Sequence, residues 1–377
     1  MAYPCPRLSC LLLATLALFH YPTGSLAQTL FLFGDSYYDA GNKQFLTGSR
    51  VDANSPPYGM TVGEATGRWS DGLIVPDYIA GFMGIPKLPP ILRSSEDYSH
   101  GASFAVADAT VLGSSLDTMT LAQQVTKFTQ SKNKWTSETL SEAIYLTYIG
   151  SDDYLNYAKN NPNPSENQKQ AFVNRVITSI EASIKVVHKA GGRKFAFQNL
   201  PPLGCLPIVK QKIGNEKNCV KLPSELAALH NKNLLELMEK LAGDLESFQY
   251  SFYDFFSSIK NRVFEPETYT FVTGMSACCG TGYVNGTGCG TNNVCIKPEE
   301  CVFFDGNHLT QQANFQVAHL MWNADPKVTG PNNLAELLLL PLDITAVSSR
   351  QNKTQSICNV QRLDQVGDAW LLGNIAC

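Results

Sequence analysis

The chain is 377 residues long and carries 29 Lys and Arg against 33 Asp and Glu, a formal net charge of −4 at pH 7. Mixed signs without a concentrated basic face argue against a nucleic-acid partner, and no polybasic segment is present for anionic lipid. Length alone would allow two domains, but no low-complexity linker, charge block or internal repeat divides the chain, so one is expected.

The chain opens with Arg7 and an apolar run from Leu11 to Phe19, followed by small residues at Ser25 and Ala27 with signal-peptidase spacing. Residues 1–27 read as a cleaved secretory signal, too short for a permanent anchor. Residues 28–377 would be the mature domain, with a tail of unassigned role from about residue 341. No later stretch reaches the length of a membrane span, so no stable membrane anchor is expected. Of 11 cysteines, Cys5 and Cys10 leave with the signal. The others crowd the second half: Cys205, Cys219, Cys278, Cys279, Cys289, Cys295, Cys301, Cys358 and Cys377. In an oxidising compartment this reads as disulfide staples on loops. A zinc site in the 278–301 group is the weaker alternative, because it has no CxxC pair. The mature count is odd, so one thiol is free, mixed or paired with another chain. Asn285-Gly286-Thr287 and Asn352-Lys353-Thr354 are glycosylation sequons, in keeping with transit through the endoplasmic reticulum. The secretory route leaves an extracellular, vacuolar or ER-derived destination open.

In chain order, Thr29 to Phe33 is an apolar strand that breaks at Gly34 and delivers Asp35 and Ser36 to its carboxyl end, where α/β sheets gather ligand and catalytic groups. A Gly/Pro-rich passage from Asn54 to Trp69 should be an ordered loop, and Leu73 to Met83 a short helix. Tyr98 to Ala105 returns towards the sheet, and Leu116 to Phe128 is a plausible helix. Ala143 to Ile149 reads as a buried central strand ending at Gly150, with Ser151, Asp152 and Asp153 behind it. From Gln168 the apolar positions Phe172, Val176, Ile180, Ile184 and Val187 recur at helical spacing until Gly191-Gly192. Lys194 to Asn199 is a third strand, Pro223 opens a long helix that ends before Gly243, and Tyr250 to Phe255 is a fourth strand. The alternation argues for one parallel sheet flanked by helices. His188, His230 and His319 lie on helices and are read as structural or surface residues.

After the cysteine-rich loop comes Asp305-Gly306-Asn307-His308, just before a helix from about Gln311 to Met321. In such a turn an aspartate can hold an imidazole in one tautomer while the ring's other nitrogen faces a nucleophile. The order Ser36, Asp305, His308 supplies all three groups. Asp35, Asp152 and Asp153 could alternatively gather a cation.

Together these stretches resemble the plant GDSL esterase/lipase family, part of the SGNH hydrolases. The anchors are Phe33-Gly34-Asp35-Ser36 with Asp39-Ala40-Gly41-Asn42, then Gly67-Arg68-Trp69-Ser70-Asp71-Gly72, then Tyr148-Ile149-Gly150-Ser151-Asp152-Asp153. Leu200-Pro201-Pro202-Leu203-Gly204-Cys205, Ala277-Cys278-Cys279-Gly280 and Asp305-Gly306-Asn307-His308 follow in the family's order. Tyr37-Tyr38-Asp39-Ala40-Gly41-Asn42-Lys43 is similar to the crucifer branch of myrosinase-associated and epithiospecifier-modifier proteins. The resemblance implies a flavodoxin-like three-layer α/β/α fold with a central parallel sheet, Ser36 as nucleophile, His308 as general base and Asp305 as its orienter. It implies an ester or lipid substrate and no metal or organic cofactor.

The sequence departs from the family in two places. Ser103 to Thr110 puts Ala107 and Asp108 where glycines stand, and Asp152 replaces the asparagine whose side chain helps bind the oxyanion. An ionised carboxylate cannot donate a hydrogen bond, although a protonated one can. Two functions are therefore expected to compete. One is a serine esterase impaired at neutral pH. The other is a weakly or non-catalytic component of a defence complex with a β-glucosidase (myrosinase-like) or a jacalin-like lectin.

Overall fold

The computed structural model describes residues 28–46, 51–113, 117–213 and 218–342. The expected signal segment and the tail with Asn352, Cys358 and Cys377 lie outside the described residues.

The central sheet begins with β1 (Leu30–Gly34), β2 (Gly101–Ser103), β3 (Ile144–Tyr148), β4 (Lys194–Gln198) and β5 (Gln249–Tyr253). Two further strands, β6 (Thr273–Ala277) and β7 (Cys301–Phe303), pair in parallel as a separate small sheet, and β8 (Thr329–Pro331) returns to the main one. The spatial order is β2-β1-β3-β4-β5-β8. The first five strands are parallel, and β8 pairs antiparallel with β5. The central sheet is thus parallel, as expected, with one antiparallel strand added at an edge. There a three-residue strand carries Pro331, which has no N–H to offer a further neighbour and so suits an edge. Order 2-1-3-4-5 is the flavodoxin-like arrangement, in which the chain leaves β1 towards β2 on one side and resumes with β3 on the other. The crevice at the carboxyl ends of β1 and β3 is the switch point where such sheets place ligands.

Ten helices surround the sheet among the described residues: α1 (Val75–Phe82), α2 (Leu121–Ser131), α3 (Ser137–Glu142), α4 (Ser151–Asn160), α5 (Glu166–Lys189), α6 (Pro207–Ile213), α7 (Lys221–Asp244), α8 (Phe255–Phe264), α9 (Gln311–Asn323) and α10 (Leu334–Leu339). One group packs α2 on α5, α5 on α7 and α7 on α4; the other packs α1 and α10 on α9. Alternate strand residues Phe33, Tyr145, Thr147, Phe195 and Phe197 meet Leu121 and Val125 of α2 and Ile180, Ile184 and Val187 of α5. Each such apolar side chain contributes about 1.5–3 kcal/mol when fully buried. Helix α5 starts at a capping box, Ser165 with Gln168, and stops before Gly191, whose φ of +123° favours glycine. Helix α7 begins two residues before Pro223, which therefore sits in the first turn, where a missing N–H costs nothing. It also runs past Gly243, and Phe255, expected in a strand, instead opens α8.

Gly34 is where the sheet makes the site. Its φ is +147°, and a Cβ there would lie 2.1 Å from Tyr148 O. Without a side chain β1 can close on the end of β3, with Asp35 N donating to Tyr148 O. The chain then turns away and lifts Ser36 above the sheet edge.

Candidate active site

Two loops at this edge bring three side chains into line. Ser36 follows β1, and Asp305 and His308 occupy the turn between β7 and α9. His308 Nε2 lies 2.7 Å from Ser36 Oγ, and His308 Nδ1 lies 2.8 Å from each oxygen of Asp305. The carboxylate keeps the proton on Nδ1, which leaves Nε2 free to accept one from the serine. Residues 36 and 308 are thus joined across 272 positions of sequence.

Asp305 is buried and richly supplied with donors. Its Oδ1 accepts from the amides of Asn307 and His308, both at 2.8 Å, and its Oδ2 accepts from the Tyr58 hydroxyl at 2.8 Å. Burial pushes its pKa up, but His308 and these donors outweigh that and hold it below the usual carboxylate range. The Gly67–Gly72 segment braces the same turn. Trp69 lies 5.2 Å from the His308 ring, Ser70 Oγ donates to Leu309 O, and Asp71 Oδ1 accepts from Gln311 N at the start of α9. Tyr37 OH donates to Asn307 O. Tyr37, Tyr58 and Trp69 are site residues that sequence reasoning missed as such. All three fall in stretches the sequence singles out, but nothing in a linear chain ties residue 58 to residue 305.

Asp35, Ser36, Tyr37, Trp69, Asp108, Ser151, Asp152, Leu155, Leu206, Asn307 and His308 line a cavity of about 80 Å³. Of the two altered glycine positions only Asp108 reaches it. Ala107 is wholly buried and its amide donates to Asp39 Oδ2 at 2.9 Å, so it is already committed. Asp108 keeps a left-handed φ of +62°, the conformation a glycine adopts freely, and its exposed carboxylate pairs with buried Lys43 at 2.9 Å.

Asp152 stands in the first turn of α4, entered through Gly150 at φ +116°. Burial, followed by the charge of Asp108, raises its pKa to about 6, against the lowering influence of His308 and Lys43. The amino end of α4 also favours its charged form, by up to about 1 kcal/mol at a partly exposed site. Asp35 is raised well above the normal range, first by burial and then by Asp152; its Oδ1 accepts from Tyr37 N. Asp153 points elsewhere: its carboxylate accepts from the amides of Val111 and Leu112 at 2.7 and 2.9 Å. Among the described residues Asp35, Asp152 and Asp153 do not converge as a ligand set. The cation site is not formed.

The cysteine-rich loop is stapled by Cys278–Cys295 and Cys279–Cys289, and Cys205–Cys219 closes a third loop. Cys301 is a free, buried thiol near the first of these, so two of the three sulfurs that could have met a metal are bonded to each other. Cys278 N and Cys279 N donate to Phe303 O and Phe304 O, so the staples anchor the strand that leads into Asp305. Asn285 of the first sequon is half-buried, and its Nδ2 donates to Ala277 O. His230 is buried beneath the site, Nδ1 on Tyr154 OH, and burial lowers its pKa to about 3. A larger groove of about 640 Å³ lies beside Arg68 and Arg93, away from the Ser36–His308 pair. Among the described residues no helix is long and apolar enough to cross a membrane.

Residues 30–321 match the family model described as GDSL-like Lipase/Acylhydrolase. The chain is 64% identical over 372 residues to Inactive GDSL esterase/lipase-like protein 25 of Arabidopsis thaliana, covering 96% of this chain and 89% of that one. It is 41% identical over 348 residues to GDSL esterase/lipase ESM1 of the same plant, covering 87% and 88%. A crystal structure from Parabacteroides merdae, described as a GDSL-like lipase, aligns with a TM-score of 0.37 at 10% identity, over 78% of this chain and 93% of that one.

Proposed function

The chain belongs to the GDSL-like lipase/acylhydrolase family, and from that premise we propose that it is a serine hydrolase of small carboxylic esters that works best in mild acid. The observation that carries the reading is the unbroken relay from Ser36 through His308 to Asp305. Ser36 Oγ attacks the ester carbonyl while His308 Nε2 takes its proton. The imidazolium, steadied by Asp305, then returns that proton to the departing alkoxide, and water repeats the sequence on the acyl-enzyme. Asp152, in place of asparagine, serves the oxyanion only as a neutral acid, so turnover requires Asp152 protonated and His308 neutral in the same molecule. The rate should therefore fall as pH rises past about 6. The cavity is small beside the roughly 300–1,000 Å³ of ordinary ligand sites, which favours acetyl and butyryl esters over long acyl chains. Disulfides support folding on the secretory route. Hydrolysis of p-nitrophenyl acetate, butyrate and palmitate from pH 4.5 to 8, with Ser36→Ala as control, tests the reading. A flat background that Ser36→Ala leaves unchanged would sink it.

The second reading is a non-catalytic component of a defence assembly holding a β-glucosidase and a jacalin-like lectin. It draws on the 64% identical relative being named inactive, and on the sequence likeness to the crucifer branch. Purification of the native protein from tissue in fixed stoichiometry with such partners is its expected outcome. Recovery as a free monomer counts against it.

A further inference from the structure

We propose that Tyr58 is a positioning residue of this site, whose phenol holds Asp305 as an ionised carboxylate aimed at His308. The inference rests on the esterase reading above, because it explains how the relay survives in the acid range where Asp152 becomes neutral.

The geometry is specific. Tyr58 is 5% exposed and Asp305 6%, and the hydroxyl donates to Oδ2, the carboxylate oxygen that the two turn amides leave unserved. Its ring is fixed edge-on by Trp69 at 5.5 Å and by Phe304 at 5.3 Å. The backbone that presents it is equally constrained. Tyr58 N donates to Ser55 O and Gly59 N to Ser70 O, and a Cβ at Gly59 would fall 1.9 Å from Glu64 O. A phenol so buried does not ionise in any range where the protein is folded, since burial and then Asp305 push its pKa far up. It therefore acts only as a neutral donor, which favours the charged form of its acceptor. The other charged and titratable groups facing Asp305 are His308 on its own turn, Tyr37 from the turn after β1, and Asp52 behind Tyr58. His308 needs Asp305 ionised to keep its proton on Nδ1. Trp69 and Phe304 ensure that the phenol cannot swing away to water instead.

The test is Tyr58→Phe in the full chain, read by the rate at which a fluorophosphonate modifies Ser36 between pH 4 and 8. Labelling slower than wild type by about tenfold or more across that range is expected from the loss of one hydrogen bond to a charged group, and a wild-type rate throughout would overturn the proposal. A second readout does not depend on Ser36. Asp305 has a lowered pKa, so its contribution to stability is present above the unfolded carboxylate value and is lost as pH falls through the folded one. Tyr58→Phe should move the acid-unfolding midpoint to higher pH, and should no longer do so in an Asp305→Asn background. Equal shifts in both backgrounds, no shift in either, or loss of folding at pH 7 would reduce Tyr58 to packing and overturn the proposal. Wild-type Ser36 left unlabelled at every pH would remove the esterase reading, while the unfolding arm would still decide whether Tyr58 holds Asp305.

Discussion

Replacing Asp152 by asparagine should raise ester hydrolysis by a factor that depends on pH, and the size of that factor separates two accounts of the site. If Asp152 stayed ionised through the reaction, the lost oxyanion donor would cost about 2.7–4 kcal/mol. A negative charge ~4 Å from the developing oxyanion would add roughly 4 kcal/mol at an effective dielectric of about 20. The sum is on the order of five decades of rate. The structure offers a cheaper route. With its pKa raised to about 6, protonating Asp152 at pH 7 costs about 1.4 kcal/mol, one pH unit's worth, and the neutral acid can donate. The wild type then reacts through the fraction of molecules that carry this proton. Asp152→Asn should therefore exceed wild type about tenfold at pH 7, about a hundredfold at pH 8, and by little at pH 5. Because both proteins share Ser36, His308 and Asp305, the ratio isolates the contribution of position 152. The assay is kcat/KM for a short p-nitrophenyl ester at matched ionic strength. A ratio of many decades that does not change with pH would refute the neutral-acid route. Two proteins equally inert at every pH would refute catalysis itself and leave the partner reading.

Other outcomes follow from the same residues. Asp39 and Asp153 have pKa values raised by burial to about 6. For a raised carboxyl the stabilising contribution is complete below the unfolded value near ~3.9 and is lost as pH rises through the folded one, about 3 kcal/mol each at most. Calorimetry should accordingly give a Tm several degrees higher at pH 5 than at pH 7.5, and a Tm that rises with pH would contradict those shifts. Gly34→Ala should fail to accumulate as folded protein, because its Cβ would meet Tyr148 O at 2.1 Å and open the β1–β3 contact that lifts Ser36; a soluble variant with normal Ser36 labelling would disprove that role. Among the described cysteines Cys301 is the free one, buried and with its pKa pushed up by burial to about 11. Native alkylation at pH 7 should leave it unmodified and denaturation without reductant should expose it, as peptide mapping can check.

The sheet and its helices were legible because their signals are local. Phe31 to Phe33, Ile144 to Tyr148 and Phe195 to Phe197 are apolar runs that only a doubly covered sheet can bury, and the capping residues of α5 stand beside the helix they start. The edge strand β8 was not legible: three residues with a glycine and a proline carry no pattern, and only pairing with β5 makes them a strand. The extents of α7 and β5 slipped by a few residues for the same reason, since Pro223 and Phe255 are compatible with either side of a boundary.

The site divides along the same line. Sequence by itself determined which groups are present: a serine after a strand, an aspartate and a histidine three apart, and a carboxyl, Asp152, where the family resemblance implies an amide. These are matters of chemical identity, and identity is written residue by residue. Only the tertiary structure decided what each group is worth. It joined Ser36 to His308, committed the Ala107 amide to Asp39, turned Asp153 onto two backbone amides, and set Tyr58 against Asp305 from 247 positions away. It also raised Asp152 to about 6 while holding Asp305 low. The physical reason is that a carboxyl's charge depends on its desolvation and its donors, and both are supplied by segments that become neighbours only when the chain folds.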